Sequence, residues 1–388
     1  MKNIKLSSKI LNDKYTEYIY ESFDIQNRDE TFVSIPYNIS EINNFDWNIG
    51  VILGGSGSGK TTILKNIGDI KNVNFDLKKP LISNFNWLDP KEATLVLTSM
   101  GLSSVPTWLR PYHTLSNGEQ YRAKLAYLVA SAKEGDTILI DEYTSVVDRD
   151  VAKAMSFALQ KYVRRQNKKI ILASCHFDIL EWLMPDWTYS PQKGDALERC
   201  DYLRQGKPQI ELQVSRVEAN TWDLFKKHHY LTEDVNKAYI FLLFEFNNKP
   251  IGICVIGNHV GKTNAFKSYR ESRIVITPDF QGLGIGSKIS EFCASIIKNN
   301  DWNYYTKTSN PALGEYRNKN KNNWKPTGHN GKIRVDKQSE NNKYNTLRKN
   351  ISYCHEYIGN KINGYEDLLL PIDIMRDKKM NEFQLKLF

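Results

Sequence analysis

Apolar residues follow two rhythms along this chain: short unbroken runs, and stretches where they recur every three or four positions. The first rhythm marks buried strands and the second marks amphipathic helices. Residues 30–53 read as short strands and turns ending in Val51, Ile52 and Leu53; a glycine-rich turn and a helical stretch at 61–67 follow. The pattern then predicts a strand at 93–97, a helix at 119–130 and a wholly apolar strand at 137–140. A helix at 151–162, a strand at 169–173 and a helix opening at 177–183 complete this half. Strands alternating with helices imply an α/β domain around a parallel sheet. The rhythm breaks in SPQKGDALERCDYLRQG, between Ser190 and Gly206, where a domain junction is expected.

After the junction, strands are predicted at 210–216, 238–246 and 250–257, the last two joined through Asn247, Asn248 and Lys249 as an antiparallel hairpin. A strand at 272–277 leads into QGLGIG and an amphipathic helix at 286–298, and strands follow at 302–306 and 353–359. Residues 317–349 are polar and rich in Asn, Lys and Arg, and read as a solvated insertion. The expected organisation is two domains, 1–200 and 206–388, the second a mixed α/β domain carrying a basic insertion at about 317–349.

Composition agrees with that division. A chain of 388 residues exceeds one ordinary core, and 40% hydrophobic with 25% charged residues is globular rather than disordered. The net charge of +9 suits an anionic partner, whether nucleotide, coenzyme A or nucleic acid. Cys175, Cys200, Cys254, Cys293 and Cys354 are scattered without metal or redox spacing. They read as reduced thiols in a cytoplasmic protein. The first residues hold no long apolar region, so no secretory signal is expected. No apolar run approaches the roughly 20 residues that cross a bilayer, so no membrane partner segment is expected within the chain.

GGSGSGKT, Gly54, Gly55, Ser56, Gly57, Ser58, Gly59, Lys60 and Thr61, fills the phosphate-loop pattern between a strand and a helix, and Thr62 follows. Glycines let successive amides face phosphates, and the helix N-terminus behind them favours the charge. Lys60 is expected on the β- and γ-phosphates and Thr61 on Mg²⁺. ILIDE then ends a buried strand in two acids: Asp141 suits the metal, and Glu142 suits the attacking water.

With these motifs in order, residues 30–190 resemble an ABC-type ATPase. LSNGEQ resembles the family's signature, with Asn117 where glycine is usual. The resemblance implies that Ser116 and Gly118 touch a γ-phosphate held by a second copy, in a nucleotide-dependent homodimer with Asp148 at the boundary. It also implies that His176 senses the γ-phosphate. Residues 62–114 contain no glutamine, so the family's Q-loop ligand is missing or replaced, and their shortness implies a reduced helical subdomain.

The second glycine turn, Gln281, Gly282, Leu283, Gly284, Ile285 and Gly286, again joins a strand to a helix but lacks the Lys-Thr pair. It resembles the acyl-CoA turn of GNAT N-acyltransferases, over about residues 210–360. That resemblance implies acetyl-CoA or another acyl-CoA as cofactor, and Asn310 and Tyr316 on the helix beyond the fifth strand. Tyr316 is the candidate acid, with Tyr304 or Tyr305 as alternatives. Glu271 is the first candidate base, with His355 and Glu356 as the alternative. His228 and His229 fall nearer a substrate lip, and Ser309 precedes Asn310.

Residues 317–349 hold ten Lys and Arg against Asp336 and Glu340, with Trp324 and Tyr344 among them. Such a loop suits phosphates and exposed bases, so a nucleic-acid acceptor is expected. Acyl transfer from a thioester needs no ATP, which leaves the ATPase a mechanical or regulatory task. The combined expectation is an ATP-hydrolysing N-acyltransferase acting on an amine of a nucleic acid or modified base. Alternatives are transfer to a protein or small amine, and an ATP-driven dimeric switch with a non-catalytic GNAT-like domain.

Overall fold

Strand and helix alternate from the start of the chain, which in a computed structural model is described over residues 2–26, 28–193, 197–205, 210–229, 234–259, 267–334, 350–377 and 383–387. In chain order come β1 (Lys2–Lys9), α1 (Lys14–Phe23), β2 (Glu30–Tyr37), β3 (Ile49–Leu53) and α2 (Lys60–Ile67). Then come α3 (Pro90–Ser99), α4 (Val105–Leu109) and α5 (Asn117–Ser131). They are followed by β4 (Thr137–Ile140), α6 (Arg149–Arg165), β5 (Lys169–Ser174), α7 (Leu180–Leu183), β6 (Trp187–Tyr189), β7 (Glu198–Arg199) and α8 (Tyr202–Gln205). The chain divides into two units, Met1–Asn74 with Tyr127–Lys207, and Phe75–Ala126 with Pro208–Phe388.

In the first unit five strands run in the order β4-β5-β3-β6-β7. β3 is parallel to β5 and β6, and β4 is parallel to β5. Every β3 residue is buried, which explains its unbroken apolar sequence. Ile52, Ile63, Leu64, Leu139, Ile171 and Trp187 meet in the core. The register sets Leu53 beside Ser174 and Ile140 beside Leu172, so β3, β4 and β5 end at one edge of the sheet.

In the second unit, residues 93–97 belong to α3 rather than to the predicted strand. Asp89 caps this helix by accepting from the Lys91 amide at 2.9 Å, and Pro90 occupies its first position. The buried residues Ala93, Val96 and Leu97 share one helical face. A cap and a proline decide an apolar run whose period is ambiguous.

The same unit contains β8 (Glu211–Val217), β9 (Ile240–Phe246), β10 (Lys249–Asn258), β11 (Ser268–Ile276), α9 (Ile285–Asn299), β12 (Asn303–Thr308) and α10 (Pro311–Lys319). β13 (Trp324–Pro326), β14 (Lys332–Arg334), β15 (Asn350–Tyr357), α11 (Ile372–Asp377) and β16 (Phe383–Lys386) complete it. The sheet order is β13-β15-β12-β11-β10-β9-β8-β16, with β14 on β15. Asn247 and Asn248 both have positive φ, 50° and 60°, and form the two-residue hairpin turn between β9 and β10.

β11 and β12 are parallel and pair only through Ser268, Tyr269 and Arg270 with Asn303, Tyr304 and Tyr305. Next to that point the β10–β11 register shifts, with Val255 opposite Arg273 but Ile256 opposite Glu271. Such a bulge bends and twists a strand. The remainder of β11 thus parts from β12, and the sheet is open between them.

Within the expected solvated insertion the described Lys319, Lys321, Lys325 and Lys332 are exposed, while Arg317 and Trp324 are buried. Arg317 lies in α10 and Trp324 in β13, 0% and 1% exposed respectively. A basic residue reads as solvated until its buried counter-ion is known. Asp336, Glu340 and Tyr344 lie outside the described residues. Among the described residues no helix is long and apolar enough to cross a membrane.

Candidate nucleotide site and a second glycine turn

The phosphate loop leaves β3 at the shared strand edge, and its first amide, Gly54 N, donates to Ser174 O at 3.3 Å. Gly57 and Gly59 have φ of 75° and 90°, which glycine alone adopts without strain. A Cβ on Gly59 would also lie 2.8 Å from Ile35 Cδ1, a second reason for glycine there. Lys60 Nζ donates to the Gly54 and Gly55 carbonyls at 2.8 and 2.7 Å. Ser58 Oγ is buried without a hydrogen-bond partner among the described residues. Gly55, Ser56, Gly57 and Thr61 are exposed, whereas Thr62 is half-buried. An orphaned hydroxyl, a lysine folded over the loop and an exposed threonine fit a triphosphate with Mg²⁺. Thr61 and Asp141 are the metal's candidate ligands, and the ion would neutralise developing phosphate charge.

The acidic strand end is held in an unusual backbone. Glu142 and Thr144 have φ of 50° and 69°, outliers for residues bearing a Cβ and severe for a β-branched threonine. Each such residue costs on the order of 1–3 kcal/mol and persists only where surrounding bonds enforce it. Those bonds are present. Tyr143 N donates to Ala173 O at 2.8 Å, and Ser174 Oγ donates to Tyr143 O at 3.0 Å. Thr144 Oγ1 donates to Tyr143 O at 2.6 Å and lies 3.0 Å from His176 Nδ1. Burial and the charge of Arg149 lower the His176 pKa against the pull of Asp178, so the ring is neutral at pH 7. Glu142 itself is exposed, and Asp148 caps α6 by accepting from the Asp150 amide.

In the second unit, Ser116 and Glu119 form a reciprocal cap on α5. Ser116 N donates to Glu119 Oε2 at 2.9 Å, and Glu119 N donates to Ser116 Oγ at 3.3 Å. Burial raises the Glu119 pKa, but bonds from Ser116 and Thr107 and the charge of Arg110 outweigh it and hold the carboxyl low. Gly118 lies in the first turn of this helix.

Gly282 and Gly284 have φ of 84° and 88°, and a Cβ on Gly284 would meet nothing within 4 Å. Leu283 and Ile285 bury their side chains, and Gly284 between them is exposed. The first bond of α9 runs from Lys288 N to Gly284 O, so the amides of Ile285, Gly286 and Ser287 have no acceptor within the helix. Open space before amides that have no acceptor within the helix fits a diphosphate.

The residues expected to transfer the acyl group are engaged internally. Glu271 is buried and accepts from Arg317 Nη2 at 2.8 Å, Ser290 Oγ at 2.6 Å and Tyr304 at 3.4 Å. It is one half of a sealed ion pair rather than an open base. Asn310 Oδ1 caps α10 by accepting from the Ala312 and Leu313 amides. Tyr316 donates to Glu291 at 2.7 Å; burial and that carboxylate raise its pKa to about 12. His355 is wholly buried, and burial and Arg317 push its pKa down to about 4. Its Nε2 bonds Asn318 Oδ1 at 2.8 Å. Glu356 is half-exposed and accepts from Tyr305 at 3.2 Å, where the β11–β12 pairing ends. His228 is half-buried, as is His229, whose pKa burial and Arg273 lower to about 4.

Sequence reasoning missed Thr144 and Gln192. A Cβ on Gly55 would lie 3.4 Å from Gln192 Nε2, so this amide flanks the phosphate loop. No local pattern marks either residue; a threonine's positive φ is set by its partners.

No family model and no curated protein matches the chain. Among solved structures it is similar to cbiO1 from Clostridium perfringens, part of the ABC transporter complex cbiONQ. The two are 18% identical over 41% of this chain and 78% of that one, with a TM-score of 0.31. It is also similar to the dimeric structure of MJ0796, a bacterial ABC transporter cassette, at 16% identity over 39% of this chain and 85% of that one, with a TM-score of 0.32. A dimeric post-hydrolysis state of MJ0796 bound to ADP and Pi gives 18% identity over 45% and 93%, with a TM-score of 0.33. The phosphate loop, the parallel strand order and the acidic strand end give the first unit a P-loop fold, and the second unit is mixed α/β.

Proposed function

We propose that this protein is an ATP-dependent dimeric switch in which the first unit binds and hydrolyses ATP and the second is a GNAT-like module that holds an acyl-CoA. The strained segment Asp141 to Thr144, tied to His176 and Ser174, carries this reading. Strain of this kind clusters at sites that position a reacting group, and in a β-branched threonine it is severe; it sits here at the edge from which the phosphate loop also departs. Neutral His176 is suited to respond to an arriving γ-phosphate, and exposed Glu142 to polarise water.

For the second unit, the GNAT resemblance is supported by the parted parallel strands and by the glycine turn at a helix start. Binding without transfer is favoured because Glu271, Asn310, Tyr316 and Nε2 of His355 are engaged in internal bonds. Acyl transfer is the second reading, favoured by the Tyr305–Glu356 pair at the point where the strands part. Its acceptor would be an amine of a protein, small molecule or nucleic acid. Trp324 is buried against Arg317 and is removed from any base-stacking role.

The test uses Glu142→Gln with ATP and Mg²⁺. Hydrolysis is expected to fall about 100-fold or more while ATP is retained and a dimer accumulates. A monomer at saturating ATP overturns the switch. Labelled acetyl-CoA incubated with DNA, tRNA and protein separates the readings: label entering any acceptor establishes transfer.

A further inference from the structure

The signature helix and the second glycine turn touch within one unit. Arg122, one turn of α5 beyond Gly118, is 1% exposed. Its two Nη atoms both donate to Asp279 Oδ1, at 3.0 and 3.1 Å. Asp279 stands two residues before Gln281, in the short helical turn Pro278–Phe280 that opens the glycine turn. Gln281 is tied down twice. Its Nε2 donates to Ile276 O at the end of β11, and its Oε1 accepts from the amide of Ser103, both at 2.7 Å. Gly101 makes the approach possible: at φ 81°, a Cβ there would lie 3.3 Å from Gln281 O and 3.4 Å from Arg122 Cδ. From Ser116, whose cap is shared with Glu119, to Gly284 the path is therefore continuous. It runs along α5 to a buried guanidinium and from there into the glycine turn.

We infer that the Arg122–Asp279 and Ser103–Gln281 contacts couple nucleotide occupancy at the signature segment to acyl-CoA occupancy at the Gly282–Gly286 turn, each ligand favouring the other. The inference rests on the reading of the second unit as an acyl-CoA module and adds its regulation. The physical reason is shared ordering. A γ-phosphate engaging Ser116 and Gly118 fixes α5, and α5 fixes the turn that must present its amides in register. The second ligand then meets a turn already ordered. Coupling of this kind is reciprocal, and its usual strength changes affinity about 5- to 150-fold.

The experiment measures acetyl-CoA affinity by calorimetry on full-length Glu142→Gln protein, with and without ATP and Mg²⁺. ATP is expected to tighten acetyl-CoA binding at least about fivefold. Adding Asp279→Asn, which keeps the shape of this 52% exposed side chain and removes its charge, should bring that ratio within about twofold of unity while ATP affinity without acetyl-CoA stays constant. If the orphaned arginine unfolds that protein, Arg122→Met/Asp279→Asn removes both charges and replaces it. A ratio of one in the parent, or an unchanged ratio in the variant, overturns the coupling and leaves the acyl-CoA reading standing. No acetyl-CoA binding under either condition overturns both.

Discussion

Replacing Glu271 by Gln tests whether this carboxylate is a structural ion or a proton acceptor. Arg317 Nη2 lies 2.8 and 3.1 Å from its two oxygens, and the side chains are 0% and 4% exposed. Ser290 Oγ bridges the pair, donating to Glu271 and accepting from Arg317 at 2.7 Å. The guanidinium also stacks 4.8 Å from the Trp324 ring, while its Nε and Nη1 have no hydrogen-bond partner among the described residues. Glu271→Gln keeps the shape and removes the anion, leaving a desolvated cation with an amide and an indole face as compensation. Breaking a buried pair in this way costs about 3–5 kcal/mol. In a unit of this size each kcal/mol moves the midpoint by about 2–4 °C, so a fall of about 10 °C is expected. Scanning calorimetry on the full chain reads it, with acetyl-CoA affinity measured well below the transition. The double variant Glu271→Leu/Arg317→Met, which buries no charge, should recover most of the loss. An unchanged midpoint with lost acyl transfer would refute the argument and restore Glu271 as a base.

Two further outcomes are expected. His355 has a folded pKa of about 4, below its ordinary 6.5, so the unfolded chain takes up the proton first as pH falls. Stability should be level above pH 6.5 and decline between 6.5 and 4, by up to about 3 kcal/mol from this residue, with His229 adding a decline of the same sign. Urea titrations at pH 7.5 and 5 should show a smaller difference for His355→Gln than for the parent, and equal differences would contradict the assignment. In the phosphate loop, Gly59→Ala meets both a φ of 90° and the Ile35 side chain, whereas Gly57→Ala meets strain at φ 75° and open space. Gly59→Ala should therefore weaken ATP binding about tenfold more than Gly57→Ala, given about 1–3 kcal/mol for the overpacked contact. Equal losses would show that Ile35 yields.

The phosphate loop, the acidic strand end and the buried strands were legible because each is encoded within a few neighbouring residues. Glycine is needed where φ is positive, and an unbroken apolar run is needed where both faces of a strand are covered. Short windows fail when two states share one composition. Residues 93–97 are apolar enough for a strand, and Asp89 with Pro90 made them a helix. They fail more completely for charge. Nothing near Glu271 announces Arg317, 46 positions away, and nothing near Arg122 announces Asp279, 157 positions away. A titratable side chain acquires its meaning from what desolvates it and what pairs with it, and both are supplied by remote parts of the chain. Local sequence therefore determined where phosphates could be held, and only the tertiary structure decided which charged groups remain free to act.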